Sequence, residues 1–194
     1  MNTTRHWLRG LAAVLVLSLL SACSDSGMGE RVLAARPPGG DFVLQSAAGP
    51  LDTKALRGKV LLVYFGYVNC PDVCPASMAA GAAALNALSP AEREKTRMIM
   101  VSVDPERDTP AKLKEYAAYF HPAMLGAVGT AAETAAIAKS YGVGYVRQPT
   151  RPDGGYAVDH SSQTFVVGPD GKLMDLLPLG VPTDQVVAAV RKLL

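Results

Sequence analysis

Residues 59–67, KVLLVYFGY, constrain the fold more than any other stretch of the chain. In an extended strand successive side chains point to opposite faces, and from Val60 onward both faces of this one are apolar. Such a strand belongs at the centre of a sheet that is covered on both sides. The next segment is equally restrictive. Pro71 and Pro75 cannot donate mid-helix hydrogen bonds, so the chain leaves the strand through a loop and enters an alanine-rich helix over 74–88. A second buried strand, RMIMVSV, is predicted at 97–103, and a short N-terminal one, FVL, at 42–44. Thr53 is read as capping a turn before Gly58. Ser89-Pro90-Ala91-Glu92 is a capping box with proline at the first helical position. Thr109-Pro110 opens a helix running to about Phe120, and residues 130–141 form another, closed by Gly142. Strands are predicted near 143–147, 156–160, 163–167 and 172–177, with Pro169-Asp170-Gly171 turning between the last two. Residues 183–193 form the final helix. Alternating strands and helices, then a hairpin and a helix, read as an α/β domain with a mixed sheet.

That domain spans about 41–194, with no internal repeat or second linker. Residues 1–22 read as an address. Arg5 and Arg9 precede LAAVLVLSLL at 11–20, an apolar run too short to span a bilayer comfortably and suited to the core of a signal peptide. Leu20-Ser21-Ala22-Cys23 has the form of a bacterial lipobox, in which the cysteine is diacylated and becomes the new N-terminus. Two acyl chains give stable anchoring. An ordinary signal peptide with an incidental Cys23 stays open as the alternative. Residues 23–40 are then the lipidated N-terminus and a flexible tether ending in Pro-Pro-Gly-Gly. The expected location is a cell membrane, with the domain on its periplasmic or extracytoplasmic side. Asp25 stands one position later than the Asp that retains many lipoproteins in the inner membrane, so the choice of membrane stays open. Without Arg5 and Arg9 the charge count is 19 − 2 = 17 basic against 17 acidic residues. With no Lys/Arg cluster there is no electrostatic basis for nucleic-acid binding. Nothing suggests an obligate dimer, so a monomer is expected.

The chain holds three cysteines, and lipidation of Cys23 leaves two thiols. Both lie in FGYVNCPDVCPASM, just after the central strand. A strand that runs into a cysteine-bearing loop and then a helix is the seat of redox and metal chemistry in thioredoxin-like folds. Helix-start amides favour an anion, which is expected to lower a thiol pKa there. At the Cys-x3-Cys spacing, helical positions i and i+4 share a face with Cα atoms about 6 Å apart. That separation permits a disulfide and also permits both sulfurs to take one metal ion. Two thiolates suit Cu(I), and a nitrogen ligand extends the site to Cu(II). Beyond the signal segment the only histidines are His121 and His160. His160 lies in VDHSSQTF, a polar turn before an apolar strand, where a thioredoxin-like sheet brings the chain against the cysteine loop.

YFGYVNCPDVCP, VSVDPERDTP and DHSSQTFVVGPDG together closely resemble the Sco/SenC family of copper-binding proteins that help to assemble the Cu(A) centre of cytochrome c oxidase. The resemblance covers roughly residues 40–194. Its motifs (Cys-x3-Cys, Asp-Pro-x2-Asp-Thr-Pro and a late Asp-His) occur in order at suitable distances. It implies a thioredoxin-like fold, and Cys70, Cys74 and His160 as copper ligands. It also implies thiol-disulfide activity that prepares target cysteines. The implied acceptor is cytochrome c oxidase subunit II or another copper protein, and a thioredoxin-like reductase is an implied partner. Many relatives keep a transmembrane helix where this chain carries a lipobox.

Blander readings stand beside these. The cysteine pair could be a structural disulfide, although it would close only a small loop. His160 could be a hydrogen-bonded loop residue. Asp104 and Asp108 are read first as turn and cap residues, with a polar shell around the metal loop as the alternative. Asp72 is read either as tuning the site or as facing water. His121 is read as a partner of a helix C-terminus. Met78, Met98 and Met100 are read as apolar packing, and Tyr64, Phe65 and Tyr67 as core that excludes water. Two functions from different classes emerge: a copper chaperone, and a thiol-disulfide reductase with Cys70 as nucleophile and Cys74 as resolving thiol. A peroxidase of peroxiredoxin type is disfavoured, because Gly66-Tyr67-Val68-Asn69 lacks the Pro-x3-Thr-x2-Cys context.

Overall fold

The computed structural model describes residues 36–194. The expected signal peptide, the lipobox at Cys23 and most of the tether lie outside the described residues. Pro37–Leu194 forms one compact unit.

The elements run β1 (Val43–Ser46), β2 (Gly49–Asp52), a 3-10 turn (Thr53–Leu56), β3 (Val60–Gly66), α1 (Val73–Ala87), α2 (Pro90–Glu94) and β4 (Thr96–Ser102). They continue with α3 (Pro110–Phe120), β5 (Met124–Ala127), α4 (Ala131–Tyr141), β6 (Tyr145–Arg147), β7 (Val158–His160), β8 (Thr164–Val167), β9 (Leu173–Leu177) and α5 (Thr183–Arg191). The main sheet has the order β5-β4-β3-β8-β9. β3 pairs in parallel with β4 and antiparallel with β8, so the sheet is mixed, as the alternation of elements implies. Every residue of β3 is buried. Tyr64 and Phe65 point to opposite faces, Tyr64 toward Cys74 on α1 and Phe65 toward the Tyr141 ring on α4. Helices therefore cover both faces of the strand that demands it.

Local chemistry sets most boundaries. Ser89 and Glu92 form the expected capping box at α2. Thr130 and Glu133 form a second one at α4, which the motif reading passed over. Gly142 ends α4 with φ 67°, a left-handed conformation that glycine adopts at little cost. Thr53 is a correction. The turn is capped by Asp52, whose side chain accepts the Lys54 N–H at 2.8 Å. Thr53 points inward instead, and its hydroxyl accepts the Phe42 N–H at 3.0 Å.

Two short strands, β2 and β5, were not predicted. The strands near 145 and 158 exist, but they form a two-stranded sheet of their own, with Tyr145 opposite His160. The start of the domain also shifts. Gly39 donates its N–H to the Ser140 carbonyl at 2.9 Å, and Tyr141 Oη donates to the Gly40 carbonyl at 2.9 Å. Residues 37–40 are thus fastened to the end of α4 rather than belonging to a tether. Among the described residues no helix is long and apolar enough to cross a membrane.

Candidate metal centre

The site is built where β3 ends. The Cys70 N–H donates to the Tyr67 carbonyl at 3.2 Å, closing a turn directly after the strand. Cys70 stays outside α1, while Cys74 is its second residue, so the pair straddles a loop and a helix start. The Cys74 N–H donates to Cys70 Sγ at 3.4 Å. Cys70 keeps an edge in solvent at 9% exposure, whereas Cys74 is sealed at 0%. Gly66 makes that burial feasible, because a Cβ at this position would stand 2.7 Å from Cys74 Sγ.

His160 ends β7 and closes the site from the other side. Its Nε2 lies 3.3 Å from Cys74 Sγ and 4.0 Å from Cys70 Sγ. One donor atom from each of Cys70, Cys74 and His160 falls within 4.8 Å of the others. Nδ1 sits 2.9 Å from the Ser161 carbonyl oxygen, which can only accept. In the neutral ring Nδ1 therefore carries the proton, and the Nε2 lone pair faces the sulfurs. Metal–sulfur and metal–nitrogen bonds of about 2.3 and 2.0 Å span donor separations of this size.

Burial opposes the expected effect of the helix start on Cys74. It pushes the Cys74 thiol up to about 12, although Tyr64 Oη, which donates to Sγ at 3.6 Å, works against this. A metal ion binding here must take the place of a proton on Cys74. The helix amide meets Cys70 instead, through the Cys74 N–H. Burial also holds the Tyr64 phenol far above its usual range.

The three aspartates separate. Asp108 is 4% exposed and lies under the cysteine loop. Its carboxylate accepts the Val68 N–H, at 3.2 Å to Oδ2, and the Ser102 hydroxyl at 2.6 Å. Burial raises its pKa, and these bonds oppose the rise. Asp104 is 3% exposed. It pairs with Arg107 and accepts the Tyr156 hydroxyl at 2.8 Å. Asp72 is exposed at the N-cap of α1, and its side chain caps nothing. His121 corrects another expectation. It is 6% exposed, and its Nδ1 accepts the Ala123 N–H at 3.0 Å, a role that needs a neutral ring. Burial and then Arg93 lower its pKa, so it is not a charged partner of the helix end. Met78, Met98 and Met100 are sealed in the core at 0% exposure.

Sequence reasoning passed over Gly66, Arg107 and Tyr156. It also gave Tyr67 too small a part, since the Tyr67 hydroxyl accepts the Val158 N–H at 3.2 Å. One local signal was available: Arg107 stands three residues after Asp104, in reach of an ion pair.

Beside this geometry, the likenesses to known proteins are specific. The family model SCO1/SenC matches residues 32–194. The mitochondrial protein SCO1 of Saccharomyces cerevisiae is 39% identical over 141 residues, covering 72% of this chain and 48% of the relative. The chain spans about half the length of such full-length relatives. The solution structure of apo Sco1 from Thermus thermophilus superposes with a TM-score of 0.74 at 40% identity, covering 82% of this chain and 94% of that one. The structure of Bradyrhizobium japonicum ScoI with copper bound gives a TM-score of 0.74 at 36% identity, covering 81% and 99%. Matched along nearly all of its folded length, this thioredoxin-like chain belongs to the SCO1/SenC family.

Proposed function

We propose that this protein is a copper metallochaperone that serves the Cu(A) site of cytochrome c oxidase subunit II, holding copper on Cys70 Sγ, Cys74 Sγ and His160 Nε2. One observation carries the reading: three donors, from the loop after β3, from α1 and from β7, converge within 4.8 Å around a partly exposed edge. Thiolates select Cu(I), and the imidazole admits Cu(II). A closed structural zinc site would require a fourth ligand. The copper held by the Bradyrhizobium relative supports the choice of metal. Cys70 and His160 line the same open cleft, which suits hand-over by ligand exchange. The lipobox at Cys23 supports anchoring in a membrane by lipid, with the domain in the periplasm.

The second reading, a thiol-disulfide reductase that readies acceptor cysteines, is favoured by the Cys74 N–H aimed at Cys70 Sγ. That bond sets a backbone donor against the more exposed sulfur. With its raised pKa, Cys74 suits the resolving role.

The test uses the full chain carrying Cys23→Ser, which leaves two thiols. The reduced protein is titrated anaerobically with Cu(I), and separately with Cu(II). One tightly bound copper per chain is expected, with a rise in Tm on loading. Binding is expected to be lost in Cys70→Ala. His160→Ala is expected to lose Cu(II) binding and to weaken Cu(I) retention, while dithiol oxidation proceeds as in the parent. A parent that takes up no stoichiometric copper but still cycles against a disulfide substrate would overturn the chaperone reading in favour of the reductase.

A further inference from the structure

His160 is carried by β7, and among the described strands β7 pairs with β6 alone, in a sheet separate from the main one. A two-stranded ribbon is marginal by itself in water. The third donor is therefore only as well placed as the contacts that pin this ribbon to the domain.

The Tyr156 hydroxyl donates to Asp104 at 2.8 Å, and two further residues, Tyr67 and Arg107, join the ribbon to the segments around the cysteine loop. Tyr67 reaches both halves of the donor set. Its carbonyl accepts the Cys70 N–H at 3.2 Å, and its hydroxyl accepts the Val158 N–H, two residues before His160, at 3.2 Å. Its ring stands edge-on to the His160 imidazole, with centroids 5.8 Å apart at 87°. Arg107 holds the ribbon from beneath. Its Nη1 donates to the Tyr156 carbonyl at 2.9 Å, and its Nε pairs with buried Asp104. The guanidinium carbon lies 3.5 Å from the centroid of the Tyr156 ring and 5.5 Å from that of Tyr67. Arg107 Nη2 is buried without a hydrogen-bond acceptor among the described residues. Leaving a buried donor unpaired is costly, and here the guanidinium plane lies against aromatic faces instead. A lysine offers neither the fork nor the plane.

We propose that Tyr67 and Arg107 are positioning residues for the metal centre: they lock the β6–β7 ribbon so that His160 Nε2 meets sulfurs that sit on a different element. The inference deepens the copper reading and rests on it for its metal. Its geometric half stands on the copper-free chain alone. The two side chains act on the imidazole, while the backbone bond from the Cys70 N–H to the Tyr67 carbonyl is kept in Tyr67→Phe, so Cys70 and Cys74 stay where β3 and α1 put them.

The experiment compares the full chain carrying Cys23→Ser with Tyr67→Phe, which keeps the ring and removes the acceptor, and with Arg107→Lys, which keeps the charge and removes the fork. Arg151→Ala is the control, since Arg151 lies in the same ribbon's loop and, among the described residues, its side chain pairs with Asp153 of that same loop. Cu(II) affinity is expected to fall about 10–100-fold in both test variants, the usual cost of losing support for a metal-bound histidine, with a changed Cu(II) electron-spin spectrum. Cu(I) stoichiometry and the rate of dithiol oxidation are expected to stay at the parent's values. In the copper-free protein, the nitrogen-15 and proton resonances of the His160 ring are expected to shift or broaden, while those of His121 stay in place. Arg151→Ala is expected to behave as the parent throughout.

Parent-like Cu(II) affinity and unshifted His160 resonances in Tyr67→Phe and Arg107→Lys would overturn the proposal. So would an equal loss of Cu(I) stoichiometry, which would mark general damage. If the parent itself bound no copper, the chaperone reading would fall, and the His160 resonances would still decide the positioning claim. If Tyr67→Phe failed to fold, Arg107→Lys would decide it.

Discussion

Gly66→Ala is expected to abolish tight copper binding, although the substitution adds one methyl group at a position with no unusual backbone. Gly66 is the last residue of β3, and it does not lie in the left-handed region. An alanine backbone fits there, and the effect is steric. Its Cβ would lie 2.7 Å from Cys74 Sγ, 2.8 Å from Tyr64 Cε1 and 3.4 Å from Met100 Cε. Met100 can bend its end away. The Tyr64 ring cannot, because it is fully buried and donates to Cys74. The remaining relief is rotation of Cys74, which removes Sγ from its place 3.3 Å from His160 Nε2. Overpacking of this kind costs about 1–3 kcal/mol of stability. The proposed copper site then loses one of its three donors, so the affinity loss is expected to exceed the roughly 10–100-fold that follows from disturbing only a ligand's support. Gly81→Ala provides the comparison. Its Cβ would press on the Met98 sulfur in the same helix–sheet interface, well inside α1, so it is expected to lower Tm without touching copper affinity. The pair is read by thermal unfolding of the reduced protein and by Cu(I) competition. A Gly66→Ala protein with the parent's copper affinity would show that Cys74 does not occupy the place assigned to it.

The contrast between those two glycines shows how far the sequence could be read. β3 was legible because an apolar run on both faces has few uses, and its exit was legible because Pro71 and Pro75 forbid a continuous helix. The cap at Ser89 is local chemistry and was legible too. β5 was not, because Met-Leu-Gly-Ala has no alternation and becomes a strand only through its pairing with β4. The spacing of Cys70 and Cys74 announced a site but did not say which sulfur faces the core. That depends on the close approach of Gly66 and Tyr64 across the β3–α1 interface. For the same reason the helix-start argument expected a lowered thiol pKa here without saying at which sulfur, and burial dominates at Cys74. Arg107 and Tyr156 are 49 residues apart in sequence, and no local pattern connects them. The ribbon that carries His160 was read as two strands, but its separation from the main sheet is a property of the fold.

Asp108→Ala is expected to damage both the fold and the site, because this carboxylate ties the turn after β4 to the cysteine loop after β3. It accepts from the Val68 N–H, two residues before Cys70, and from Ser102 Oγ, which in turn accepts the Asp104 N–H at 3.0 Å. Alanine leaves the buried Ser102 hydroxyl and the half-buried Val68 amide without this acceptor. Each such loss costs about 1–3 kcal/mol, so a total of roughly 2–6 kcal/mol is expected in urea unfolding of the reduced, copper-free protein. The freed loop is also expected to weaken copper binding. Asp108→Asn keeps one acceptor oxygen and nearly the same shape, and it is expected to lose less than half as much. The pH dependence separates charge from shape. Burial raises the Asp108 pKa above its ordinary value of 3.8, so between that value and the raised one the folded state holds more protons than the unfolded state. Stability then falls as pH climbs through this window. The asparagine variant has no proton to lose there, so the parent's advantage over it is expected to be largest at acid pH and to shrink as Asp108 ionises. An advantage that grew with pH would mean that the ionised carboxylate is the form the fold prefers, with its two hydrogen bonds outweighing the cost of burial. An Asp108→Ala protein with the parent's urea midpoint would remove the carboxylate from the support of the cysteine loop altogether.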